Sequence, residues 1–161
     1  MRLLLAAIGK LRSNDPIANL IDDYANRIEK TGKGLGFTKF EIKSFEAPRG
    51  LSGPACQARE SELLVNAIPE KAFLILLDEK GDNLTSTKFA RKLETVRDSG
   101  SGVIAFAIGG ADGHSDMIRK RANASLAFGP ATWPHMMARL MVCEQIYRAM
   151  TILSGHPYHR E

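Results

Sequence analysis

No run of about eighteen to twenty apolar residues occurs in the chain, so a membrane-spanning helix is not expected. The opening MRLLLAAIGK has one arginine and a short apolar run but no small-residue cleavage site, which argues against a secretory leader and for a buried first strand. Without export, the cytoplasm is the expected location. Cysteine is scarce: Cys56 and Cys143 stand alone, in no Cys-x-x-Cys pair, so neither a disulfide framework nor a zinc cluster is expected. Both should stay reduced, with Cys143 on a core-facing helix. Of the four histidines, His156 and His159 lie closest together, and no further ligands accompany them, so no metal is expected. Charge of one sign is not pronounced either. Lys plus Arg number 22 against 18 Asp plus Glu, a formal net charge of +4, which permits an RNA partner without demanding one. Repeats and low-complexity tracts are missing. What remains is one core's worth of sequence, 161 residues in a single expected domain.

Apolar patterning divides that domain into alternating elements. Residues 2–8 are expected to form a buried strand ending at Gly9. A helix is expected from about Pro16 to Lys30, with Pro16 in its first turn and Ile17, Leu20, Ile21, Tyr24 and Ile28 on one face. Residues 37–46 alternate as a strand with one wet face. Pro48, Gly50, Gly53 and Pro54 mark a loop, and a helix follows over 55–67. Residues 72–78 and 102–108 are continuous apolar runs, the pattern of parallel strands buried on both faces. Gly81, Asp82 and Asn83 are expected to turn the chain, with Ser86 capping a helix to about Asp98. A short helix at 115–121, a weak strand at 124–128 and a long helix at 135–153 complete the pattern. Strand–helix alternation of this kind predicts an α/β fold, a mostly parallel sheet with helices on both faces.

In open α/β sheets ligands bind beyond the carboxyl ends of the strands. Three such ends stand out: Leu77–Asp78, Ile108–Gly109–Gly110–Ala111–Asp112–Gly113 and Phe128–Gly129–Pro130–Ala131–Thr132–Trp133. The Gly109–Gly110 pair allows close approach of backbone to a ligand or serves a tight packing turn. No Lys-Ser or Lys-Thr follows, so a P-loop fails; Gly9–Lys10 is not a dinucleotide fingerprint. Asp78 and Asp112 either hold a ligand or close a turn. His135 and Arg139, four apart, share a helix face.

The order of these elements resembles the minimal SPOUT family of bacterial large-subunit rRNA pseudouridine N3-methyltransferases. The resemblance rests on Leu77–Asp78, Ile108–Gly109–Gly110–x–x–Gly113, Thr132–x–Pro134–His135–x–x–x–Arg139 and Glu144–Gln145–x–Tyr147–Arg148–Ala149. It is completed by the terminal His156–Pro157–Tyr158–His159–Arg160–Glu161. It covers nearly the whole chain and is loose over residues 30–70. Ala111–Asp112 departs from a Pro-Glu pair common in the family, and the 128–133 loop departs from a Ser- and Leu-rich one.

The resemblance implies a deep C-terminal trefoil knot and S-adenosylmethionine held by Leu77, Gly109 and Phe128, Gly129, Pro130, Ala131, Thr132 and Trp133. It also implies a homodimer whose cleft uses both subunits, and a substrate pseudouridine in a 23S rRNA stem-loop of the assembled ribosome. Residues 156–161 become a substrate-side tail. Within it His159 is the candidate base for the N3 proton. Arg160 and Arg148 are candidates for holding the flanking oxygens or a phosphate, and Tyr158 for stacking on a base. Three other readings stand beside this one: a SPOUT enzyme acting on another nucleotide, a noncatalytic ribosome-associated factor, and a flavodoxin-like nucleotide-binding enzyme.

Overall fold

The computed structural model describes residues 1–11 and 14–159; Arg160 and Glu161 lie outside them. Strands β1 (Arg2–Ile8), β2 (Lys39–Phe45), β3 (Phe73–Asn83), β4 (Val103–Ile108) and β5 (Ala124–Ala127) form one sheet in the order β2-β1-β4-β3-β5. Every pairing is parallel. All strand carboxyl ends therefore lie along one edge of the sheet.

The apolar runs explain the layering. In β1, Leu3, Leu5 and Ala7 face one core while Leu4, Ala6 and Ile8 face the other, and all six are buried. In β4, Ile104, Phe106 and Ile108 face the first core, and Val103, Ala105 and Ala107 the second. Helices α1 (Pro16–Gly32), α3 (Ser86–Asp98) and α5 (His135–Leu153) cover the first face, where α5 packs between α1 and α3. Helices α2 (Gly53–Ala67) and α4 (Asp116–Arg121) cover the second. Among the described residues, no helix is long and apolar enough to cross a membrane.

Several expected boundaries shift. Thr85, not Ser86, caps α3: its side chain accepts from Lys88 N–H, while Ser86 Oγ bonds Gln145 on α5. Gly53 and Pro54 belong to the first turn of α2, where a proline lacks no needed donor. Leu20 is 48% exposed and lies off the buried face of α1 formed by Ala18, Ile21 and Ile28.

The largest shift concerns Gly81, Asp82 and Asn83, which are not a terminal turn. Leu126 of β5 stands opposite both Leu77 and Asp82, so residues 78–81 bulge outward before Asp82 and Asn83 rejoin the ladder. Gly81 makes this return possible. A Cβ there would lie 2.6 Å from Leu126 N and 2.7 Å from Leu126 C, both backbone atoms that no rotamer change moves aside. Gly81→Ala should therefore destabilise the fold by about 1–3 kcal/mol through overpacking, read as a lowered midpoint in thermal unfolding. A midpoint within one degree or so of the parent would mean that β5 adjusts freely.

Candidate functional site

The chain ends of β3, β4 and β5 surround a cavity of about 400 Å³. Its lining includes Leu77–Lys80, Ile108–His114, Leu126–Gly129, Ala131–Trp133, and His135 and Ala138 at the start of α5. The three strand ends singled out in the sequence thus converge on one space. Leu77, Gly109, Phe128, Gly129, Ala131, Thr132 and Trp133 all line it; Pro130 sits in the same loop, exposed, and is not part of the lining.

The loop after β4 is a tight turn. Gly113 N–H donates to Gly110 O at 3.1 Å, and Gly113 has φ +78°, a left-handed conformation that glycine takes without a steric penalty. The two preceding glycines serve packing. A Cβ on Gly109 would press on Gly113 O and the His114 ring, at 3.2 and 3.3 Å, and one on Gly110 would overlap the Glu60 carboxylate. Both side-chain directions are thus taken by the protein's own atoms, and the two residues present main chain to the cavity. Glu60, from α2, is 3% exposed and accepts from Gly110 N–H at 3.0 Å.

The loop after β5 closes on itself and on β3. Trp133 Nε1–H donates to Phe128 O at 3.0 Å, and Gly129 N–H donates to Asn83 Oδ1 at 2.8 Å. Asn83 reaches this position only because β3 continues past Gly81. The Trp133 ring stays 43% exposed at the rim. Asp78 closes a turn through Lys80 N–H and is ion-paired with Arg119 of α4. Asp112 offers its carbonyl to Gln57 and leaves its side chain at the exposed rim, as does Glu79.

His135 and Arg139 part company despite their spacing. His135 is exposed at the cavity mouth. Arg139 is completely buried and turns to the other half of the sheet edge, where it donates to Ile8 O at 3.0 Å, Gly9 O at 2.9 Å and Ser44 Oγ at 3.2 Å. Burial pushes its guanidinium pKa down. The two thiols, both free and buried, stay protonated: burial raises Cys143 to about 12, and burial together with Glu60 raises Cys56 to about 11.

Tyr158 and Arg148 lie apart from the cavity of their own chain. Helix α5 runs 19 residues, so its ends are about 27 Å apart. After Gly155 the chain folds back along α5. Tyr158 O–H donates to Glu144 Oε1 at 3.2 Å, and the Tyr158 ring packs edge-on against Tyr147 at 4.9 Å and beneath the Arg148 guanidinium at 4.9 Å. Glu144 in turn holds Arg148 through Nε–H at 2.9 Å. That hydrogen bond raises the Arg148 pKa, and burial, with Tyr24 and Glu144 nearby, raises that of Tyr158, so the phenol keeps its proton. Contacts to residues 144–148 put Tyr158 roughly 14–20 Å along the helix from His135. His159 is half-buried with Nδ1 unpartnered among the described residues. The Arg160 assignment falls outside the described residues.

Sequence reasoning passed over Glu60, Arg119 and His114. Glu60 and Arg119 look like ordinary surface charges on short helices, and His114 follows Gly113 with no periodic pattern to mark it as buried.

Comparison with known proteins bears on this geometry. A family profile described as "Predicted SPOUT methyltransferase" matches residues 1–159. The chain is 48% identical over 160 residues to a ribosomal RNA large subunit methyltransferase H of Rhodospirillum centenum, covering 99% of both chains. It is 46% identical, with the same coverage, to proteins of that description from Bradyrhizobium diazoefficiens and Paramagnetospirillum magneticum.

Proposed function

This chain belongs to the SPOUT methyltransferase family, and from that premise we propose that it methylates N3 of a pseudouridine in 23S rRNA, using S-adenosylmethionine. The observation that carries the reading is the single cavity into which the ends of β3, β4 and β5 all open. At about 400 Å³ it has the size of a small-molecule site. It offers main chain without side chains at Gly109 and Gly110, the latter fixed by Glu60 and Gly113, and an indole at its rim. The exposed carboxylates of Glu79 and Asp112 suit a ligand carrying positive charge. These features fit S-adenosylmethionine, with Leu77, Gly109 and residues Phe128–Trp133 the groups that would hold it. Bound there, the cofactor supplies a methyl group already activated on a sulfonium.

The chain's own residues must then orient the acceptor, exclude water and remove the N3 proton. His159 is the proposed base, taking that proton on an imidazole nitrogen. Arg148, held by Glu144, and Arg160 are the proposed cations for the carbonyl oxygens flanking N3 or for an rRNA phosphate. Tyr158, with its proton retained, has a positioning role rather than a basic one. The fold-back of the tail along α5 supports a homodimeric enzyme in which one subunit's tail completes its partner's site, on a single domain spanning residues 1–161. A C-terminal trefoil knot around the cavity loops belongs to the same proposal. A ribosomal substrate places the enzyme in the cytoplasm.

Labelled S-adenosylmethionine, supplied with ribosomes lacking the N3 methyl group, should give incorporation at one pseudouridine of 23S rRNA. Label at a different nucleotide would redirect the substrate; no label from a folded, cofactor-binding protein would end the enzymatic reading. Binding itself has a built-in reporter. Trp133 is the sole tryptophan and borders the cavity, so S-adenosylhomocysteine should change its fluorescence saturably.

A further inference from the structure

His114 is a buried titratable group at the edge of the cavity. It lies directly after the Gly110–Gly113 turn and is 5% exposed. Its Nε2 sits 3.0 Å from Leu77 O. A carbonyl only accepts, so Nε2 carries the hydrogen and the neutral ring leaves Nδ1 as a bare acceptor. Nδ1 has no partner among the described residues. It is packed against Gly109: a Cβ there would lie 3.3 Å from both Nδ1 and Cε1. One imidazole therefore touches the last β3 residue before the bulge and the first residue of the turn after β4, and both line the cavity.

We propose that His114 is a positioning residue for the cofactor site, a neutral clasp joining the Leu77 strand end to the Gly109 turn, whose protonation unfastens the cavity. This rests on the cofactor reading given above.

The surroundings leave little room for an imidazolium. A second N–H, at Nδ1, would be buried against Gly109 with no acceptor, a costly arrangement. Two charged groups face the ring. Asp78 at the end of β3 favours the cation, but its carboxylate is already engaged by Arg119 of α4. Arg119 disfavours the cation, and its Nε–H is fixed on His114 O at 3.1 Å. From α2, Glu60 is committed to Gly110 N–H, and Ser61 Oγ accepts from Ser115 N–H at 3.3 Å. Burial is the largest influence and outweighs the Leu77 carbonyl, which by itself favours the cation, so the His114 pKa lies below its ordinary 6.5 and the cost of protonation falls on the Nδ1 side facing Gly109. A depressed histidine pKa stabilises the clasped form fully above pH 6.5, and that stabilisation is lost as pH falls through the lowered value.

The test measures S-adenosylhomocysteine affinity by calorimetry between pH 7.5 and 5 for the wild type, His114→Gln and His114→Phe. Glutamine keeps a donor for Leu77 O and cannot titrate; phenylalanine fills the space with neither property. The expected wild-type result is a progressive loss of affinity on acidification across this range, bounded at about tenfold per pH unit for one proton. His114→Gln, which keeps the donor to Leu77 O but not the fit of the ring, should bind more weakly than the wild type at pH 7.5 and lose distinctly less on acidification. His114→Phe should be weaker, with a similarly shallow profile. In parallel, the imidazole 15N resonances of the ligand-free wild type at pH 7 should show a protonated Nε2 and an unprotonated Nδ1. Matching pH profiles for wild type and His114→Gln would overturn the proposal, as would the opposite tautomer or a charged ring. Failure of the wild type to bind S-adenosylhomocysteine at any pH would refute the cofactor reading, while the NMR result would still decide the state of the ring.

Discussion

Arg139→Ala is expected to lower the unfolding free energy by about 3–5 kcal/mol, the range for breaking a buried charged group's bonds and leaving a void. Three physical effects add. The substitution deprives Ile8 O and Gly9 O of charge-assisted bonds at 3.0 and 2.9 Å, each worth about 1.5–3 kcal/mol. It removes the partner of Ser44 Oγ on the neighbouring strand. It also empties the space of a fully buried side chain where α5 crosses the edge of β1 and β2. Relief of the cost of burying a guanidinium offsets part of this. Arg139→Lys should recover only part of the loss, because an ammonium does not reproduce the fork that spans two carbonyls and a hydroxyl. Urea unfolding of the three proteins, with unchanged slopes and displaced midpoints, provides the measurement. A loss under about 1 kcal/mol for alanine, the worth of one ordinary hydrogen bond, would show that solvent replaces the guanidinium without penalty.

Removal of residues 156–161 should reduce methyl transfer by at least about 100-fold, the lower range for loss of a general acid–base group, while S-adenosylhomocysteine still changes Trp133 fluorescence. The separation follows from geometry. The cavity is lined by the first turn of α5 and by strand-end loops, whereas the tail contacts residues 144–148 far along that helix. The loss should appear in kcat, with the cofactor KM little changed. Stability should fall too, since the deletion strips Tyr158 from Tyr147 and Arg148, a packed aromatic contact worth about 0.5–1.5 kcal/mol beyond its area. Unfolding measured alongside activity keeps the two effects apart. A shared site has a further signature. Mixed with a full-length variant that cannot bind cofactor, such as Gly110→Val, the truncated protein should regain about a quarter of wild-type turnover, because half of randomly assorted dimers carry one intact site. No recovery from demonstrably mixed dimers would confine tail and cavity to one subunit. Near-normal turnover by the truncated protein alone would remove the tail from the chemistry.

Much of this architecture was open to reading from the chain because burial on both sheet faces leaves an uninterrupted apolar run. Residues 103–108 and 3–8 could hardly be anything else. Pro16 and the sharp Gly155 stop bracket helices for equally local reasons: a missing donor at one end, a left-handed residue at the other. The strand-end loops at 77, 109–113 and 128–133 could be nominated because parallel sheets gather their carboxyl ends on one edge. What local pattern could not supply was the partner of each residue. Spacing placed His135 and Arg139 on one face, yet one reaches the cavity and the other the far half of the sheet edge, because a single helix turn spans the boundary between them. Gly81 looked like a turn residue since only the approach of β5 reveals why it lacks a side chain.

The chain alone settled the α/β class, the parallel sheet and, through its terminal motif, the family resemblance, and it nominated the three strand-end loops that line the cavity. These depend on period, composition and order, all of which are local properties of sequence. Tertiary structure alone decided that Glu60 accepts from Gly110 N–H, that His114 Nε2 meets Leu77 O, that Arg139 ties α5 to β1, and that Tyr158 lies along α5. The first three of those contacts join residues 37 or more places apart. Such a contact has no spacing rule, because packing chooses its partners only after the sheet has brought the loops together.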